Sequence, residues 1–179
     1  MKRLTPLTVI ILALMLVFGS VGCDKDSDNG TNNDDDGKTI VGTWVSTGNN
    51  VALLLNLIFA GNGGIDSVYA DFGADQVYNV RQVNVDKTVL TYVGTYTSEK
   101  SGTGDIYKIS ITQTAPAAAI VEGIYEIDLS VTPHGMTYEV VQTDPPAGIA
   151  PTAAAGFGST NGGALTPADA NVQKYIRLQ

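Results

Sequence analysis

Between Lys38 and Gln179 the chain is cut into short runs rich in Val, Ile, Thr and Tyr, separated by Gly, Asn and Asp about every ten residues. This punctuation constrains the fold more than any other feature, because β-branched and aromatic runs bounded by turn residues are the signature of strands. The runs place strands near Thr39–Thr47, Val51–Ala60, Ile65–Phe72, Gln76–Val85 and Thr88–Ser98. Four more follow near Gly104–Gln113, Ala119–Val131, Met136–Thr143 and Gln173–Leu178. Alternation is cleanest where Tyr125, Ile127, Leu129 and Val131 share one face and Glu126, Asp128 and Ser130 the other. Tyr107, Ile109 and Ile111 oppose Lys108, Ser110 and Thr112 in the same way. One-sided burial of this kind belongs to antiparallel sheets with one face on a core and one in water. Val51–Ala60 is apolar nearly throughout and fits a doubly covered strand or a short helix; the Gly61–Gly64 turn cluster tips the expectation to a strand. Asp86-Lys87 and Lys100-Ser101-Gly102 read as hairpin connections, and Asp144–Leu165, made of small residues and prolines, as a long surface loop or flap. Thr166-Pro167 reads as the start of a helix of one or two turns, with Thr166 as N-cap. The expected fold is all-β. Nine short strands protect their edges most completely by closing into an antiparallel barrel, with a two-sheet sandwich as the rival.

The segment before this domain is of another kind. Lys2 and Arg3 precede an apolar run from Leu7 to Phe18, which the small residues Gly19-Ser20-Val21-Gly22 follow before Cys23. That order is a secretory signal, and about a dozen apolar residues fall short of the roughly 20 that span a bilayer. Ser20-Val21-Gly22-Cys23 resembles the lipobox of bacterial lipoproteins. The resemblance implies cleavage before Cys23, lipid on its sulfur, further acylation of the exposed amine, and residence in the cell envelope on an inner or outer membrane. One acyl chain anchors only marginally and two or more anchor stably. The expected organisation is therefore a signal peptide over 1–22, a lipidated cysteine and acidic tether over 23–37, and a β domain over 38–179.

The tether, DKDSDNGTNNDDDG, has no apolar residue and cannot offset the entropy of ordering, so it reads as a solvated spacer. Asp24, Asp26 and Asp28 have the spacing that opens an EF-hand loop. However, Asn29 stands where that loop wants Gly, and Asp35 where it wants Glu, so no metal is expected.

The formal charge of −8 argues against binding nucleic-acid backbones. From Lys38 onward, 12 acidic residues face 7 basic ones, an ordinary balance for a soluble domain. With Cys23 as the single cysteine, no intramolecular disulfide forms. There is one histidine, His134, in a Pro-His-Gly turn. No nucleophile elbow, P-loop, dinucleotide fingerprint or zinc motif accompanies it, so neither an enzyme nor a cofactor is expected. Glu122, Glu126 and Asp128 share one face of a strand, which suits acid–base work on paper and a solvated outer face more simply. Eight tyrosines are available to line a cavity or to pack across strands.

Gly42-Thr43-Trp44, opening the first strand, resembles the G-x-W signature of lipocalins and related calycin barrels. The resemblance implies an up-and-down barrel in which an Arg of the last strand stacks on the Trp and closes one end. Arg177 occupies that place in sequence. It also implies a small apolar or amphipathic ligand. A structural lipoprotein that contacts other envelope proteins is the alternative.

Overall fold

The computed structural model describes residues 37–178, so the signal segment, Cys23 and most of the tether lie outside the described residues. The domain is a closed barrel of eight antiparallel strands, each hydrogen-bonded to its neighbours in chain order. The strands are β1 (Gly42–Thr47), β2 (Ile65–Phe72), β3 (Val77–Asn84), β4 (Val89–Lys100), β5 (Ile106–Ala115), β6 (Ala119–Asp128), β7 (Gly135–Asp144) and β8 (Gln173–Arg177). The ring closes where Trp44 and Val45 pair with Arg177 and Ile176. This is a lipocalin-like up-and-down barrel, and a closed ring excludes the sandwich.

The alternation carries the wall. Cross-strand partners share a face, and the row Trp44, Ala70, Val80, Tyr92 points inward. So does the row Tyr107, Tyr125, Tyr138, Gln173. Of the eight tyrosines only Tyr69 faces out, where Arg81 covers its ring at 4.2 Å. The inward rings form a plug: Phe72 meets Tyr78, Tyr96 and Tyr138 at 5.5, 5.1 and 6.5 Å between centroids, and Tyr138 meets Tyr175 at 5.8 Å. Tyr107 stacks on Tyr125 at 5.1 Å. Each such buried aromatic or aliphatic side chain contributes roughly 1.5–3 kcal/mol.

One strand Cα makes room for its neighbour. A Cβ on Gly123 would stand 2.0 Å from the Glu139 carbonyl oxygen, so β6 and β7 approach here only because residue 123 has no side chain.

Eight strands form, not nine. The segment read as a strand over Val51–Ala60 is instead bridged by α1 (Leu53–Ile58), flanked by single turns of 3₁₀ helix at Gly48–Asn50 and Ala60–Asn62. In a ring whose every edge is paired, a ninth strand has no partner. A helical segment satisfies its own backbone, as Asn56 N–H to Ala52 O and Phe59 N–H to Leu55 O do here. Near the C-terminus the expected helix is a 3₁₀ turn over Ala168–Asn171 whose N-cap is Pro167, one residue later than read, with no side-chain cap.

β1 runs from the end called lower here to the upper end, and successive strands alternate. Chain entry, the β2–β3, β4–β5 and β6–β7 turns, and Arg177 are at the lower end. α1, the β3–β4 and β5–β6 turns, and the start of the long β7–β8 loop are at the upper end.

Candidate functional site

The lower end is closed by residues the sequence singled out. Trp44 is fully buried and its indole N–H donates to the Ile40 carbonyl at 2.7 Å. The guanidinium carbon of Arg177 lies 5.2 Å from the Trp44 ring centroid, and its Nη2 donates to the Val41 carbonyl. Gly42 has φ +135°, and a Cβ there would be 3.0 Å from Arg177 Nη2, so the guanidinium takes the space a side chain would fill. The glycine, tryptophan and arginine thus form one packed unit.

The other sequence candidates stay apart. Glu122 accepts from the Thr143 hydroxyl at 2.8 Å on the exposed outer wall. Asp128 accepts from the amide and hydroxyl of Ser130, and these bonds hold its carboxyl below the usual range. Glu126 pairs with Ile106 and Thr137 on that same outer face. His134 turns its Nδ1 to the Val131 carbonyl at 3.0 Å and lines a shallow lower cleft of about 370 Å³ with Thr132, Pro133, Arg177 and Leu178. No nucleophile and base come together there. Among the described residues no group of three or more His, Cys, Asp or Glu is placed to hold a metal, and no helix is long and apolar enough to cross a membrane.

Two arrangements were not anticipated. The first is on the outer wall of β7. Glu139, fully buried, accepts from the Gly158 amide at 2.6 Å, the Thr160 amide at 2.9 Å and the Thr160 hydroxyl at 2.6 Å. Asn171 braces the same point through Thr160 Oγ1 and the Val140 carbonyl. The loop after Asp144 is therefore pinned against the barrel's flank, with Pro151, Ala153, Ser159 and Thr160 buried. It encloses an open cleft of about 340 Å³ lined in part by Ile149, Thr152, Phe157 and Ser159. In sequence, Glu139 has the phase of a solvated outer residue, and nothing local marks it as buried.

The second is inside. Ser46, Gln82, Asn84 and Gln173 are buried at the upper ends of β1, β3 and β8, on the inward face. Gln82 donates to Asn84 at 2.8 Å, and the Tyr92 hydroxyl donates to Gln82 Oε1 at 3.4 Å. Ser46 Oγ and Gln173 Nε2 make no well-formed hydrogen bond to protein, and the Gln173 side chain lies beside the Tyr175 hydroxyl. The signal was legible: Gln82 and Asn84 stand in phase with Tyr78 and Val80, and Ser46 with Trp44, where apolar residues belong. Above them sits α1, with Leu55 and Phe59 packed on the core. The interior thus carries an aromatic cluster and, adjoining it toward the upper ends of β1, β3 and β8, uncharged amides and hydroxyls, bridged by a short helix.

No family model matches the chain, and neither a curated protein nor a solved structure matches it.

Proposed function

We propose that this is a lipid-anchored envelope protein, held to a membrane through acylated Cys23, whose barrel binds a small amphipathic ligand at its upper end. The observation that carries the reading is the pair of polar atoms without a well-formed hydrogen bond, Ser46 Oγ and Gln173 Nε2, buried on the inward face, with Gln173 directly across from Tyr138. A buried polar group left unpaired costs about 1–3 kcal/mol. A ligand hydroxyl or amide supplies both partners, while its apolar part rests on the aromatic faces, the usual division of labour in ligand sites. The wall carries amides and hydroxyls but no charge, so the polar part of the ligand is neutral.

The aromatic plug favours a second reading, in which the barrel is solid and the lipoprotein serves only to contact other envelope proteins. The two separate on titrating the full chain with N-phenyl-1-naphthylamine and with uncharged single-chain amphiphiles as competitors. Saturable binding that weakens in Ser46→Leu and Gln173→Leu, both checked for fold by circular dichroism, supports the ligand site. A folded chain that binds none of these probes leaves the second reading. The anchor is tested separately: cells fed labelled palmitate transfer label to the protein, and Cys23→Ser abolishes it.

A further inference from the structure

The described surface is not evenly apolar. Of its ten exposed large hydrophobic side chains, five sit at the upper end: Leu53, Leu57 and Ile58 on α1, and Val85 and Val89 at the β3–β4 turn. These are 46–63 % exposed, whereas the four at the lower end (Val77, Val131, Ile176 and Leu178) are 40–45 % exposed; the tenth, Ile149, is 68 % exposed and lies apart on the β7–β8 loop. The turn and the helical segment are locked into one platform. Val85 N–H donates to Gly64 O, Asp86 N–H to Asn62 O, and Asn62 Nδ2 to Asp86 Oδ2 at 2.8 Å. Asn56 Oδ1 accepts from the Ile65 amide at 2.9 Å, fixing the end of α1 to the first residue of β2. The leucines and isoleucine are thus presented on a fixed support, at the end of the barrel that holds the amide wall.

We infer that this crown rests on the surface of a lipid bilayer. The inference rests on the anchored reading above and adds an orientation to it. Chain length permits that orientation. The described chain enters at the lower end, where Lys38 pairs with Asp105 of the β4–β5 turn at 2.7 Å. Fourteen residues, Asp24–Gly37, separate that point from Cys23. At about 3.3–3.6 Å each they reach up to about 50 Å. The wall of the barrel, from strands of 5–12 residues, is at most about 40 Å along its longest strand. The tether is therefore long enough for the far end of the barrel to meet the membrane that holds Cys23. The turn at the crown carries Asp86 and Lys87, and exposed Asp66 and Asp169 stand on the adjoining start of β2 and the 3₁₀ turn packed against α1, so the surface offers no basic patch for an anionic lipid and suits a zwitterionic one.

Contact quenching by brominated phosphatidylcholine vesicles tests the inference in the full chain. Trp44 is buried and gives the same background in every variant. Emission added by Leu57→Trp is quenched on mixing with the vesicles, while that added by Val131→Trp at the lower end is not. No quenching at position 57, or equal quenching at both, overturns the crown. So does a change at position 57 that follows protein concentration without vesicles, which assigns the surface to a second copy. Flotation of the chain before and after Cys23→Ser reports on the anchor independently: a chain that floats through Cys23 while position 57 stays unquenched is anchored but not crown-down.

Discussion

Thr160 gives both its amide and its hydroxyl to the same oxygen of Glu139, at 2.9 and 2.6 Å, and thereby ties a long loop to the middle of β7. The second Glu139 oxygen takes the Gly158 amide. Removing the carboxylate strands three donors in a buried place. Glu139→Ala is expected to lower stability by about 2–5 kcal/mol and to open the loop to protease before the barrel unfolds. Glu139→Gln, which keeps one acceptor, is expected to lose less. Urea unfolding followed by limited proteolysis measures both effects.

Arg177 acts on Trp44 as a stacked cation and on Val41 as a donor, so its two functions separate by substitution. Arg177→Ala is expected to cost about 2–5 kcal/mol, the sum of a cation–π contact and a charge-assisted hydrogen bond. Arg177→Lys retains the charge but not the planar fork and recovers part of it. Trp44 emission in thermal melts follows the change directly.

At Gly123 the neighbouring backbone leaves no room to yield. Gly123→Ala places a Cβ 2.0 Å from the Glu139 carbonyl oxygen and 2.7 Å from the Val140 Cα. Overpacking that relaxes by rotamer changes costs about 1–3 kcal/mol; here backbone must move, and the expected loss is at or above the upper figure. Chemical denaturation of the variant is the check. A neutral result would mean that β6 and β7 separate without penalty.

Alkaline pH is expected to unfold the barrel cooperatively. Burial raises the hydroxyls of Tyr138 and Tyr175 well above their ordinary value of 10.0, and neighbouring tyrosines raise them further. The unfolded chain ionises them from about pH 10 and the folded chain does not. Their stabilising contribution is therefore whole below pH 10 and falls above it, by about 1.4 kcal/mol per pH unit for each. Tyrosinate absorbance in a pH titration should show the buried rings ionising in one step together with loss of β-sheet circular dichroism.

Much of the wall was legible in the residues. Period-two alternation and turn chemistry are local properties, so the strand over Ile65–Phe72 is found as read, and seven others within a few residues, Val51–Ala60 being the exception. The G-x-W opening and Arg177 marked the two chain positions that the tertiary structure packs together. Polar residues standing in apolar phase, Ser46, Gln82 and Gln173, could have been read as an interior wall, because phase alone sets the face once a strand is known.

What the sequence could not decide depends on contacts between distant segments. Whether Val51–Ala60 is strand or helix turns on whether an unpaired edge exists, and that is known only once β1 meets β8. Glu139 looks solvated in its own strand and is buried only because residues 158–160 return to cover it. The local pattern determined which residues face in and which face out; ring closure and the returning loop decided which polar groups lose water, because burial of these groups comes from segments distant in the chain.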